Sequence, residues 1–292
     1  MSWTAWSSRC LKNRSDPVAP RHPPRALKGC ARGVWMGLCL GVASAGAAFG
    51  CSAALHLETQ MPESVSAAGL NGGLAWYDGP TTRYAHGVLG DAIEGTELHA
   101  YTDRASVACG VPSAVLPEEL VFEDTAPRLI DLDFDGRPEI IVVQSHQRLG
   151  AQLAVYSFAD DGVSLRETAA TPFIGRSNRW LAPIGAADLN GDGLMEIAYI
   201  DRPHLARTLR VWRFEDGALT EIATMEGLTN HRIGEPFITG GIRDCGDGPE
   251  MITANQGWSQ VMATRFIGDT LDTRGLGAFS PAAISQALAC QL

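Results

Sequence analysis

Not one lysine lies beyond Lys28 in this chain of 292 residues, and the rest of its positive charge is unevenly spread. Residues 1–33 hold Arg9, Lys12, Arg14, Arg21, Arg25, Lys28 and Arg32 against a single acid, Asp16, whereas the remainder carries 16 basic and 32 acidic residues. Nucleic-acid binding rests on neutralising phosphates with Lys and Arg, so an acidic body argues against it. A long apolar run is lacking too. The segment Val34–Ala48, rich in Gly and Ala, has about 15 residues where a spanning helix needs about 20. It follows the basic stretch and ends in small residues, which reads as a secretory signal rather than a permanent anchor. Ala48-Phe49-Gly50-Cys51 faintly resembles a lipoprotein signal, with Ala48 where leucine is usual. Also absent are a G-x-S-x-G elbow, an H-E-x-x-H helix and a phosphate-cradling glycine loop. His86, His99, His146, His204 and His231 are scattered, so no nucleophile with its base stands out and no catalytic residue is assigned.

What is present is a repeated acidic loop. Asp131, Asp133 and Asp135 occupy positions 1, 3 and 5, Gly136 position 6 and Glu139 position 9; Asp188, Asn190, Asp192, Gly193 and Glu196 repeat the pattern in register. Ca²⁺ takes six to eight oxygens, which alternate residues of a tight loop can turn inward, with Arg137 and Leu194 at position 7 offering backbone carbonyls. An EF-hand would need a glutamate at position 12, but Val142 and Tyr199 stand there. Both loops run into β-rich segments, Glu139 to Val143 and Glu196 to Ile200, so the turn lies between strands.

This arrangement resembles the FG-GAP or VCBS-type repeat, the calcium-bearing blade of integrin α-subunit propellers and of many exported bacterial proteins. Asp131 to Asp188 is 57 residues, and a further 56 reach Asp244, where Asp244 to Glu250 is a third copy shortened by two residues and expected to hold no metal. Strands flank each loop. The second copy reads as Leu181 to Ala187, Glu196 to Ile200, Thr208 to Phe214 and Leu219 to Met225. The first starts at Pro127 and ends at Thr171, and the third runs from Phe237 to a weak last strand near Leu271. Four antiparallel strands make a propeller blade, which must stack on its neighbours to bury its faces. A degenerate blade is expected upstream from Arg83–Asp91 and Glu97–Tyr101, with Leu116 to Phe122 as its outer strand. The expectation is an all-β propeller of four blades over residues 76–292, five being the alternative count and a sandwich or linear array the alternative architecture. Residues 1–51 form the basic lead and signal, and 52–75 a linker.

In a propeller the first strands line the central channel. Arg83, Arg128, Arg179, His231 and Arg232 lie at or just before such strands and could converge on an anionic ligand, unless they pair with acids such as Glu123, Asp124 and Glu235 across blade junctions. Ring closure should bring Cys109 near Cys290, so that pair is the expected disulfide, with Cys245–Cys290 as the alternative. The reading is an exported, periplasmic or extracellular, monomeric binding module stabilised by Ca²⁺, whose ligand is a protein or a carbohydrate. The alternative is a hydrolase or lyase acting on an anionic polymer. The resemblance implies that the calcium loops lie on the face away from the partner.

Overall fold

The computed structural model describes residues 59–67, 73–102, 111–161 and 164–292, all within the compact unit from Ala48 to Leu292. The signal segment, Cys51 and Cys109 lie outside the described residues. The described residues form four antiparallel sheets. The first contains β1 (Ser66–Ala67), β2 (Leu74–Asp78), β3 (Glu97–Tyr101) and β4 (Ser113–Val115) in that order. In the second, β5 (Leu120–Phe122) and β6 (Arg128–Ile130) both pair with β7 (Glu139–His146), followed by β8 (Gly150–Phe158) and β9 (Leu165–Ala170). The third is β10 (Leu181–Ala187), β11 (Met195–Asp201), β12 (Thr208–Glu215) and β13 (Ala218–Glu226). The fourth has β14 (Leu228–Thr229) and β15 (Gly241–Asp244) against β16 (Pro249–Asn255), then β17 (Gln260–Ile267) and β18 (Thr270–Ala278). These are blade-like sheets of an all-β propeller type, and their strands fall where the repeat spacing predicts them in the second, third and fourth sheets.

Side-chain alternation explains why the sheets stack. On β7, Ile140 and Val142 pack with Tyr77 and Leu98 of the first sheet, while Ile141 and Val143 pack with Leu181 and Ile197 of the third. A strand covered on both faces becomes a continuous apolar run, as Ile140 to Val143 is. On β11, Ile197 and Tyr199 face the second sheet, whereas Ala198 and Ile200 join Met251 and Phe266 of the fourth. In the second, third and fourth sheets a bulge interrupts the register between the third strand and the outermost one, at Val155/Tyr156, Val211/Trp212 and Val261/Met262.

The far face of the fourth sheet is covered by a helix that the sequence reading did not find, α1 (Pro281–Leu288), whose Ile284 and Ala287 pack on Ile252, Val261 and Ala263. Its start is built by Ser280, which accepts a hydrogen bond from Ala283 N at 3.0 Å, and by Pro281 in the first turn. Just beyond α1, Cys290 is joined to Cys245 in the third loop. The expected Cys109–Cys290 bridge is therefore corrected: the C-terminus is tied back onto its own sheet, because α1 turns Cys290 toward the β15–β16 loop.

The first sheet departs most from expectation. Residues 83–91 form no strand but part of the long β2–β3 loop, which reaches each of the other sheets. Arg83 bonds the carbonyls of Pro117 and Leu120, Tyr84 Oη accepts from Asn178 N at 3.0 Å, and Val88 O accepts from Gly234 N at 2.9 Å. Gly90, at φ +108°, lets that loop lie close to Gly234, since a β-carbon there would come within a tight 3.0 Å of Gly234 O. The strand that 83–91 was expected to supply is β2, and the outer strand is β4. Leu120 to Phe122 instead joins the second sheet, pairing with Gln144 to His146. Part of the expected linker is also ordered: Thr59 Oγ1 and Ser64 Oγ both donate to Tyr77 O.

Candidate functional site

Strand direction sorts the loops into two ends. The three acidic loops each lead from an inner strand into the next, β6–β7, β10–β11 and β15–β16, so they share one end with the hairpins β12–β13 and β17–β18. The β2–β3, β7–β8 and β11–β12 loops, and the segments entering β10 and β15, belong to the opposite end.

At the acidic end, Gly136 at φ +85° makes the bend of the first loop, which no β-carbon would favour. Asp131, Asp133 and Glu139 each bring an oxygen to within 4.8 Å of the others. Asp131 Oδ1 is buried without any hydrogen-bond partner. Burial pushes the Glu139 carboxyl up to about 7; the Leu132 N–H opposes this, and Asp133, Asp135 and Asp131 reinforce it. A buried acceptor without a donor costs roughly 1–3 kcal/mol, and three converging carboxylates repel one another, so this donor set fits a hard divalent cation. The second loop has the same bend, but Arg213 reaches into it and bonds Glu196 Oε1 and Asp192 Oδ2. Burial raises the Glu196 carboxyl, with Arg213 opposing. In the third copy, burial would raise Glu250, but the guanidiniums of Arg243, Arg265 and Arg274 hold it below its ordinary value. Arg243 bonds Glu250 Oε2 at 2.7 Å, while Arg265 and Arg274 bond Oε1 at 2.8 and 2.7 Å.

At the opposite end the structure separates most of the five residues expected to bind an anion. Arg83 is spent on backbone carbonyls, Arg128 on Asp124 at 2.7 Å and Arg232 on Glu235 at 3.7 Å, with its guanidinium 4.1 Å from the Trp258 ring centre. Arg179 and His231 each lie beside Trp180, Arg179 next to it in the chain and His231 with its ring 4.9 Å from the indole. His86, Asn178, Arg179, Trp180, Arg202, His204 and Leu205 line a small pocket of about 30 Å³ there. His231 Nε2 lies 2.8 Å from the carbonyl of Glu235, which can only accept, so that nitrogen carries the proton. Burial holds His231 below its ordinary value, leaving Nδ1 bare to accept from His204 Nε2 at 3.0 Å. His204 is driven down to about 4 by burial, then by His231 and His86, so at neutral pH its Nδ1 carries a free lone pair. His86 Nδ1 sits 2.5 Å from Glu123 Oε1, and Ser145 Oγ and Trp180 Nε1 donate to Glu123 as well. No serine, threonine or cysteine lines the pocket among the described residues. Three of the five histidines that look scattered in sequence thus meet. They span 145 residues of sequence, His86 being carried in by the β2–β3 loop, His204 by the β11–β12 loop and His231 by the segment after β14.

No helix among the described residues is long and apolar enough to cross a membrane. No curated protein matches the chain. Residues 131–199, from the first acidic loop through β11, match the family model of the FG-GAP-like repeat, so this stretch carries an FG-GAP-like repeat.

Proposed function

We propose that the chain is an exported, calcium-stabilised propeller that serves as a binding module and catalyses nothing itself. The observation that carries the calcium part is the first loop: a buried Asp131 Oδ1 without a donor, set among converging carboxylates. Asp131, Asp133, Asp135 and Glu139 would hold the ion together with the Arg137 carbonyl, and in the second loop Asp188, Asn190, Asp192 and Glu196 with the Leu194 carbonyl. The ion would neutralise carboxylates that otherwise repel, and an ion bound only by the folded form stabilises it by mass action. Export is supported by the basic lead with its apolar segment and by the Cys245–Cys290 bridge, since disulfides persist in oxidising compartments.

The binding face we assign is the end away from the acidic loops. Exposed Ile93, Leu205, Ile233 and Phe237 lie on loops of that end and offer apolar surface to a partner. The pairing of Arg128 and Arg232 with acids, and the capture of Arg83 by carbonyls, support binding over polymer cleavage. Thermal unfolding of the full chain with excess Ca²⁺ and with a chelator tests the reading, alongside Asp133→Ala. Calcium should raise the melting temperature of the parent and do so much less in the variant. Equal melting with and without calcium in the parent would sink it.

A further inference from the structure

The first two loops share one hydrogen-bonded scaffold. The N–H at position 2 bonds the glutamate Oε2 (Leu132 and Leu189, both 2.9 Å), and the position 6 glycine bonds Oδ2 at position 1 (Gly136, 3.0 Å; Gly193, 2.9 Å). Position 7 bonds Oδ1 at position 5 (Arg137, 2.6 Å; Leu194, 3.0 Å), and position 5 bonds the oxygen at position 3 (Asp135, 3.1 Å; Asp192, 3.2 Å). Each carboxylate of the first loop therefore spends one oxygen on the loop's own backbone and keeps its second, whereas Asn190 in the second loop has a single side-chain oxygen and spends it on Asp192 N.

The second oxygens have different fates. In the first loop Asp131 Oδ1 has no donor, and no described side chain bonds Asp133 Oδ2, Asp135 Oδ2 or Glu139 Oε1. In the second, Arg213 donates to Glu196 Oε1 from Nε at 3.1 Å and Nη2 at 3.0 Å, and Nη2 also bonds Asp192 Oδ2. Asn190 Nδ2 adds a further donor to Asp192 Oδ2 at 2.9 Å, and Asp188 Oδ1 accepts from Gly191 N and Asp192 N.

Strand register explains the difference. Glu196 pairs across β11–β12 with Arg213. The same cross-strand place is Ser157 opposite Glu139, one step beyond the Ile140–Tyr156 pair, and Arg265 opposite Glu250, one step beyond Met251–Thr264. Counting loop carboxylates and the guanidiniums bonded or ion-paired to them, formal charge runs from −4 in the first copy to −2 in the second and zero in the third. The cross-strand position on the third strand supplies the one guanidinium of the second copy and one of the three in the third; Asn190 in place of a carboxylate, and Arg243 and Arg274, account for the remainder.

We propose that Arg213 is the resident counter-cation of the second loop, so that calcium enters residues 188–196 only by displacing its guanidinium, and the chain holds one calcium firmly, at 131–139. The residue facing the loop glutamate, serine or arginine, decides whether a repeat takes a metal ion. This rests on reading the first loop as a calcium site, and it adds that the two family-like loops are unequal.

The test is calorimetric titration of the full chain with Ca²⁺. The parent should bind one ion firmly and a second about tenfold or more weakly, since affinity follows the charge and rigidity of the ligand set. Arg213→Ser should yield two sites of similar affinity, and Ser157→Arg should weaken the firm one. Asp133→Ala leaves Arg213 untouched and should remove the firm site while keeping the weak one, so the assignment can be decided even if Arg213→Ser fails to fold. Two equal sites in the parent, unchanged by Arg213→Ser, would overturn the proposal and leave the calcium reading standing. No binding in any chain would remove both.

Discussion

Opening the Cys245–Cys290 bridge is a perturbation whose size follows from the chain's connectivity. The cysteines are 45 residues apart, and closing a loop of that length in the unfolded chain removes entropy equivalent to about 4 kcal/mol at 25 °C. In the folded state α1 does not depend on this bond, because Arg243 Nη1 donates to Ala287 O and, at 2.9 Å, to Leu292 O, while Ile284 and Ala287 stay buried on the fourth sheet. Reduction should therefore act through the unfolded chain and leave the native fold intact. For a domain of this size about 2–4 °C accompanies each kcal/mol, so the reduced protein should melt about 8–16 °C lower. The measurement is thermal unfolding by circular dichroism with and without reductant, together with the Cys245→Ser, Cys290→Ser double variant, whose melting should match the reduced parent. A fall of less than about 2 °C in both would refute the reasoning, since it would mean that the closed loop constrains no more than α1 docking already does.

Arg243→Met should lower stability by about 3 kcal/mol in urea unfolding, because it breaks a buried ion pair with Glu250 and frees two carbonyls at the C-terminus, although Arg265 and Arg274 still serve Glu250. Loss of less than about 1 kcal/mol would contradict that account. Burial, then Glu123, pushes Glu94 up to about 9, so between its ordinary value and about 9 the folded chain keeps a proton that the unfolded chain has lost. Stability should thus fall as pH rises through that window, by at most about 1.4 kcal/mol per pH unit for one group. Glu94→Gln should flatten the dependence, measured as urea midpoints from pH 5 to pH 9, and an unchanged slope would dismiss Glu94 as its source.

The calcium loops and their following strands were legible because their information is local. Positions 1, 3, 5, 6 and 9 are read within one turn, and β10 and β17 fall on the expected residues because both are short, largely apolar runs stopped by Asp188 and Gly268. The first sheet was misread for a complementary reason. Arg83 to Asp91 carries Tyr84, Val88 and Leu89 as a degenerate strand would, yet these belong to a loop whose Tyr84 and Val88 plug into the other sheets. Ser280 and Pro281 are a helix-start signal, but eight residues are too few for a helical period to show. The residue facing each loop glutamate, Ser157, Arg213 or Arg265, was invisible, because it depends on the pairing of one strand with the next and not on spacing within either. The histidine pocket was hidden likewise, its members being carried in by three separate segments of the chain.

The bulges before the outermost strands bear on how copies of this protein meet one another. An outer strand leaves a row of backbone donors and acceptors unpaired, which invites another sheet to add on. Natural edges often carry lysine as a deterrent, and this body has none. Instead, the local twist that a bulge imposes combines with exposed Arg166 and Glu167 on β9, Glu221 and Glu226 on β13, and Asp272 and Arg274 on β18 to spoil a flat template. Four of those six charges are carboxylates that fade on acidification, so the rim's resistance to edge-to-edge aggregation is greatest well above the isoelectric point of about 5.1.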